Sequence, residues 1–231
     1  MGNSLPPETF LCIVRVPRPD KGSSASSMTD EKKLPADPAD ESAARDFAWM
    51  ERVKEGDMEA FQELIEAHQQ RVIATVTKML GDEADGEDVA QQVFVRVWKS
   101  APRYEPTAKF TTWLFKITRN LVFNELRRRK RAPVQSLDTS DRPDHEPIQM
   151  PDSKEKTPDT AMLDAEMQEA IQAAIDSLPE TQRMAIILRR YDEFSYEEIG
   201  EILKLSVPAV KSVIFRARIE LKEKLRRYLD A

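Results

Sequence analysis

Between Phe61 and Leu80 the apolar side chains return every three or four residues: Phe61, Leu64, Ile65, His68, Val72, Val76, Met79 and Leu80. A stripe at that spacing is satisfied by a helix buried along one face, and by little else. The same period recurs over 85–99, over 112–131 and again after residue 161, and it is missing from 133–160. The chain therefore reads as two helical blocks with a spacer between them. Only 6 glycines occur in 231 residues, too few to turn the many short strands of an all-β protein. One cysteine, Cys12, excludes a disulfide framework or a multi-thiolate zinc site and points to a reducing compartment, the cytoplasm. His68 and His145 stand far apart, which leaves no His-based metal centre or triad; we expect no cofactor and no enzymatic chemistry. No apolar run reaches the length of a membrane span, so no membrane insertion is expected.

The formal net charge of −6 conceals a strong sorting of charge along the chain. Residues 161–203 carry 3 basic and 10 acidic groups, whereas 204–227 carry 8 and 2. A second basic cluster, Arg127-Arg128-Arg129-Lys130-Arg131, closes the first helical block. A phosphate backbone responds to local charge, because interactions beyond about 8–10 Å are screened at physiological salt. Both basic ends are thus candidates for nucleic acid despite the acidic total.

Residues 1–46 are rich in Pro, Ser and Asp and are expected to be disordered. The patch Phe10 to Val14 is too short for a signal peptide, and Pro6 stands where a myristoylation start needs Ser or Thr. Met28-Thr29-Asp30-Glu31 also reads as a start. Two readings of residues 1–27 therefore stand side by side, a natural extension and a start-site artefact, and N-terminal mass spectrometry of the native protein separates them. Residues 133–160, with 3 basic and 7 acidic groups and little apolar content, are expected to form a flexible acidic linker.

Within the first block, 47–132, the acidic run Asp82 to Asp88 follows Gly81 and suits the positive end of a helix dipole better than a metal-dependent nuclease. The helix it opens carries an apolar stripe (Val89, Val93, Phe94, Val97) and a second, mostly polar one: Asp88, Gln91, Gln92, Val95 and Lys99. Pro102 and Pro106 bracket a loop, and Thr111 or Thr112 is expected to cap the next helix. There, Leu114, Phe115, Ile117, Leu121 and Val122 share one side, and Trp113, Lys116, Asn120, Asn124, Arg127 and Arg131 share the other. Indole, amides and guanidinium groups on one stripe make a surface for unstacked bases and phosphates.

In the second block, 161–231, Ser195-Tyr196-Glu197-Glu198 is a capping box opening a short helix, and Ser206 is expected to cap a longer basic one from Val207 to about Tyr228. Two helices joined by a tight turn, the second of them basic, form a helix-turn-helix, whose second helix enters the major groove. On that helix Val210, Ile214, Ala217, Leu221 and Leu225 form the packing stripe, and Lys211, Ser212, Phe215 and Arg216 project elsewhere.

These residues carry a family resemblance. Asp88-Val-Ala-Gln-Gln-Val-Phe-Val-Arg-Val-Trp98 and Phe110-Thr-Thr-Trp-Leu-Phe-Lys-Ile-Thr-Arg-Asn120 resemble the sigma-2 domain of bacterial extracytoplasmic-function (ECF) sigma factors of the sigma-70 family. Leu178-Pro-Glu-Thr-Gln-Arg183, Tyr196-Glu-Glu-Ile-Gly200 and Val210-Lys-Ser-Val-Ile-Phe-Arg-Ala-Arg218 resemble their sigma-4 domain. The implied architecture is all-α: a sigma-2 helical bundle over 47–132 and a sigma-4 helix-turn-helix over 161–231, joined by the acidic linker.

The resemblance also implies roles. Asp88, Gln91, Gln92, Val95 and Lys99 would dock on the β′ subunit of core RNA polymerase, with the β subunit a further partner. Trp113, Lys116, Asn120, Asn124, Arg127 and Arg131 would read the minus-10 element as single strand and trap a flipped base. Lys211, Ser212, Phe215 and Arg216 would read the minus-35 element as duplex, with Arg218 and Lys222 nearer phosphate or solvent. The linker would thread the polymerase's RNA channel, and a separate anti-sigma factor would restrain the protein. Four positions depart from the family pattern: Asn124 for Asp, Lys204 and Pro208 for Gly, and Val213 for Arg. A free-standing helix-turn-helix regulator is the alternative, and it leaves the 88–99 stripe and the Trp113/Asn120 face without a task.

Overall fold

The computed structural model describes residues 38–131 and 158–229, and every regular element among them is helical. The first group comprises α1 (Pro38–Lys54), α2 (Met58–Leu80), α3 (Glu83–Ser100) and, after a 3₁₀ turn at Ala101–Arg103, α4 (Phe110–Arg131). The second comprises α5 (Pro158–Asp176), α6 (Glu180–Arg190), α7 (Tyr196–Leu203), α8 (Val207–Lys224) and a last helical turn, Arg226–Leu229. The calls on residues 1–37 (Cys12, the Phe10 patch, Met28) and on His145 and most of the acidic spacer lie outside the described residues.

α1 corrects the N-terminal expectation: it begins at Pro38, inside the stretch read as disordered. The reason is tertiary. Met50 and Val53 are buried, and the carboxylate of Asp46, itself buried, lies 2.9 Å from Nε2 of the buried His68 on α2. α2 opens on Asp57, whose side chain accepts from the backbone N–H groups of Glu59 and Ala60. Those bonds, the Ala60 one foremost, and Arg52 hold its carboxyl below the usual carboxylate range. α3 crosses α2 where Gly86 is buried; a Cβ there would stand 2.2 Å from Thr77 Oγ1, so any larger residue at this close crossing would have to displace the Thr77 hydroxyl. The acidic start of α3 has structural partners, since Asp82 accepts from the Asp85 N–H and Asp85 pairs with Arg129 of α4.

α4 starts at Phe110, so Thr111 and Thr112 lie in its first turn rather than ahead of it, and Thr112 is buried with an unpartnered hydroxyl. The apolar side settles as expected at Leu114, Phe115 and Val122, with Thr118 joining it by bonding back to the Leu114 carbonyl. In the second group Ile175, Met184, Ile187, Leu188, Ile199 and Ile202 join one core with α8, which turns in Val210, Ile214, Ala217 and Leu221 of its predicted stripe, while the fifth residue, Leu225, is buried just past the helix end. α8 ends at Lys224, short of the expected Tyr228, and Ser206 occupies the N-cap position without a side-chain capping bond.

The two groups meet along α4 against α7 and α2 against α6. Phe115 and Phe194 pack edge-on with centroids 4.9 Å apart, and the Arg71 guanidinium lies over both rings. Beside them the buried Asp192 accepts from Arg71 Nε and from Thr75 Oγ1, both at 2.9 Å. Burial pushes the Asp192 carboxyl up, opposed by Arg71, Thr75 and Lys78; burial likewise pushes the Lys78 amine down. Arg183 of α6 donates to the Met79 carbonyl at 2.9 Å.

Candidate polymerase and nucleic-acid interfaces

On α3 the packing stripe and the polar stripe separate cleanly. Val89, Val93, Phe94 and Val97 are buried, while Asp88, Gln91, Gln92, Val95 and Lys99 are all exposed. Val95 stands out as an aliphatic side chain 53% exposed in the middle of a polar row. The row borders an apolar groove of about 530 Å³ between α2 and α3, lined by Phe61, Ile65, Ile73, Phe94, Val95 and Trp98. Phe61 and Ile65 were expected in the core; they are half-buried and line this groove, with Phe61 tilted on Trp98 at 4.9 Å. The sequence held a sign of it. Phe61, Ile65 and Ile73 form their own four-residue series, offset from Leu64, His68, Val72, Val76 and Met79.

The start of α4 is an aromatic cluster. Trp113 meets Tyr104 edge-on at 5.0 Å and Phe110 at 5.9 Å, and the His68 ring lies 5.2 Å from Phe110. Trp113 is therefore half-buried and braced rather than freely exposed, because the loop after Pro102 folds Tyr104 back onto it. Further along, Asn120, Asn124, Arg127 and Arg131 are exposed, and Lys116 is half-exposed. Arg119 donates to Asn120 Oδ1 at 2.7 Å, and Arg127 donates to Asn124 Oδ1 at 3.1 Å. Asn124, Arg127, Arg128 and Arg131 outline a shallow basic hollow of about 490 Å³ at the helix end. Arg129 differs from its neighbours: it turns inward to the Leu80 carbonyl, Asp85 and Glu125. Hydrogen bonds from Arg128 and, against burial, from Arg129 hold Glu125 below the usual carboxylate range. This arrangement offers bases a stacking edge and amides, and offers phosphates a row of guanidinium groups.

The third surface is built by the turn between α7 and α8. Ser195 Oγ accepts from the Glu198 N–H at 3.1 Å, and Glu198 reaches back to the Ser195 N–H at 2.8 Å, which completes the predicted capping box. Gly200 sits where the turn closes; a Cβ there would lie 2.7 Å from the Leu205 carbonyl. Lys204 ends α7 in the left-handed region at φ 59°. A side chain there costs about 1 kcal/mol relative to glycine. Lys204→Gly is therefore expected to raise thermal stability by up to about 1 kcal/mol, measured by thermal melting.

The turn aims α8 outward. Lys211, Ser212, Phe215 and Arg216 are exposed, Phe215 by 52%. Ser212 bonds back to the Pro208 carbonyl at 3.0 Å, and Lys211 Nζ lies 5.8 Å from the Tyr196 ring. Ile219, one helical turn beyond Phe215 and also 52% exposed, extends the apolar part of this face; the sequence reading passed it over. The packing stripe alone could have shown it, since Ile219 lies off Val210, Ile214, Ala217 and Leu221. Among the described residues no group of three His, Cys, Asp or Glu is placed to hold a metal, and no helix is long and apolar enough to cross a membrane.

Known proteins share this arrangement. The sigma-70 region 2 family matches residues 64–132, and the sigma-70 region 4 family matches residues 168–221. The ECF RNA polymerase sigma factor SigW of Bacillus subtilis is 30% identical over 177 residues, 77% of this chain and 95% of the relative. The ECF RNA polymerase sigma-E factor of Escherichia coli is 34% identical over 182 residues, 78% of this chain and 94% of that one. Among solved structures, the sigma factor RpoE in complex with the anti-sigma factor NepR from Bartonella quintana superposes with a TM-score of 0.53 at 26% identity, covering 72% of this chain and 96% of the other. CnrH in complex with the cytosolic domain of CnrY shares the fold, with a TM-score of 0.57 at 24% identity and coverage of 79% and 98%.

Proposed function

Since this chain belongs to the ECF branch of the sigma-70 family, and is a promoter-recognising RNA polymerase sigma factor, we propose a division of its labour among the three exposed surfaces. The α3 row, Asp88, Gln91, Gln92, Val95 and Lys99, docks on core RNA polymerase. The α4 face, Trp113, Lys116, Asn120, Asn124, Arg127 and Arg131, receives the minus-10 element as single strand. The α8 face, Lys211, Ser212, Phe215 and Arg216, reads the minus-35 element as duplex. Residues 47–132 and 161–231 then act as two modules, and the acidic spacer gives them reach. Binding energy, not bond chemistry, opens the promoter: base flipping costs a few kcal/mol, which stacking and polar contacts offset.

The observation that carries this reading is the exposure of all five residues of the α3 row on a helix whose other side is packed. A duplex-binding regulator has no use for that row, whereas a subunit that must dock on a larger enzyme does. Run-off transcription with purified core polymerase tests the function: specific initiation that depends on this protein supports it, and none overturns it. Asp88→Arg with Gln92→Ala is expected to weaken capture of core polymerase at least tenfold, about 1.4 kcal/mol, with helicity unchanged by circular dichroism. Unchanged capture would remove the docking role from α3.

Restraint by an anti-sigma factor belongs to the same reading. A related sigma factor has been solved with such a partner, and the α2–α3 groove offers an apolar helix face a place beside the polymerase row.

A further inference from the structure

Asp46 and His68 form a buried pair that belongs to none of the three exposed surfaces. Asp46 on α1 is 2% exposed and His68 on α2 is 6% exposed, and Asp46 Oδ1 lies 2.9 Å from His68 Nε2. A carboxylate only accepts, so the ring donates its Nε2 proton. The same imidazole meets Phe110, with centroids 5.2 Å apart and planes tilted by 54°. Phe110, itself 3% exposed, in turn meets Trp113 at 5.9 Å and Tyr104 edge-on at 6.4 Å. α1 also packs against the 3₁₀ turn at Ala101–Arg103 and against α4. Its carboxylates act on the loop that follows: burial foremost, then Asp46 and Glu51, push the Tyr104 phenol up. From α1 to the indole there is thus one unbroken series of contacts: Asp46, His68, Phe110, Trp113.

We propose that His68 is a positioning residue for promoter melting: held by Asp46, it fixes Phe110 and thereby the Trp113 indole where the unstacked base lands. The proposal rests on the α4 assignment above and extends it inward, to two buried residues. Stability alone does not call for this pair, since a buried charged pair is often matched by apolar residues of similar volume. An apolar contact, however, leaves a ring free to turn or slide. A 2.9 Å bond to one ring nitrogen sets the depth and the angle of the imidazole, and with them the surface on which Phe110 packs. Phe110 begins α4 and Trp113 lies in the same first turn, so a shift of one ring carries directly to the other. Preorganisation matters at this step because the base has already left its own stack. An indole that must first be reoriented loses part of the stacking energy that offsets flipping. α1 thereby takes part in melting through its carboxylate.

Four variants of the full chain are compared with core polymerase on a duplex promoter that supports run-off transcription. His68→Gln leaves Asp46 an amide N–H but removes the ring, Asp46→Ala leaves the ring unheld, and Asp46→Asn keeps an acceptor oxygen. Val76→Ala is the control, a truncation of a buried residue about 12 Å from His68 along α2. Permanganate reactivity of promoter thymines gives the rate of open-complex formation, and core-polymerase capture and thermal melting are read on the same proteins. We expect His68→Gln and Asp46→Ala to melt the promoter about fivefold more slowly, and Asp46→Asn to stay within about twofold of wild type. Val76→Ala should also stay within about twofold, despite a lower melting temperature. Core capture should be unchanged in all four. In a Trp113→Ala background the His68→Gln effect should shrink to about twofold or less, since the two residues act in series. The proposal is overturned by a wild-type rate in His68→Gln, by equal slowing in Val76→Ala, or by a His68→Gln effect that persists in full without Trp113. If Asp46→Ala does not fold, His68→Gln and its cycle with Trp113→Ala decide the matter. A wild-type rate in Trp113→Ala itself removes the α4 assignment and this proposal with it, whereas a slow Trp113→Ala beside a fast His68→Gln removes only the positioning role.

Discussion

Alanine at both Trp113 and Asn120 is expected to slow open-complex formation on duplex promoters by about ten- to a hundredfold, since a base stacked on an aromatic side chain is worth about 1–3 kcal/mol. Permanganate reactivity of promoter thymines reads the melted state directly. A pre-melted template should recover most of the loss, because the strand no longer has to be opened. The packing of Trp113 against Tyr104 and Phe110 shapes the control. Removing the indole also removes support for that loop, whereas Asn120 is exposed and its side-chain oxygen accepts from its neighbour Arg119. Asn120→Ala alone should therefore keep full thermal stability and still show part of the melting defect. Equal defects on duplex and pre-melted templates would place the damage in docking or folding instead.

At the minus-35 element the largest loss is expected from Lys211→Ala and Phe215→Ala on α8. If Lys211 meets a base edge, its removal costs about 1–3 kcal/mol and relaxes preference at one or two positions. If it meets a phosphate, binding weakens alike on all sequences and the salt dependence flattens. Phe215 is 52% exposed, so its removal should leave the melting temperature unchanged while lowering affinity wherever a thymine methyl faces it. Footprinting of the polymerase-bound protein on a promoter library at two salt concentrations distinguishes these results. Unchanged affinity and preference in both variants would show that α8 is not the reading head.

Much of this was legible in the chain because helices announce themselves locally. The packing stripe from Val210 to Leu225, the capping box at Ser195 and the two-sided α3 follow from spacing, and spacing is a property of neighbours in sequence. The surfaces follow by subtraction: a side chain off the packing stripe of a folded helix faces water, which placed Lys211, Ser212, Phe215 and Arg216, and all of the α3 row, outside. Lys204 stands where the family resemblance puts a glycine, and the turn it occupies is left-handed.

Periodicity says nothing about what approaches a helix from elsewhere. Pro38 to Asp46 lack a signal strong enough to outweigh their Pro- and Asp-rich flank, and helix α1 is seated by a carboxylate that finds His68 on another helix. Trp113 lies on the polar side of α4 by its angle, and a loop returning Tyr104 half-buries it. Phe61 and Ile65 belong to a stripe wide enough for two partners, but α3 covers one flank and leaves a groove. Local sequence thus determined the helices after α1, their inner faces and the three candidate surfaces. Only the tertiary structure decided how the two helical groups meet, because Lys116 and Glu201, or Arg71 and Asp192, are joined by geometry alone across a long separation in sequence.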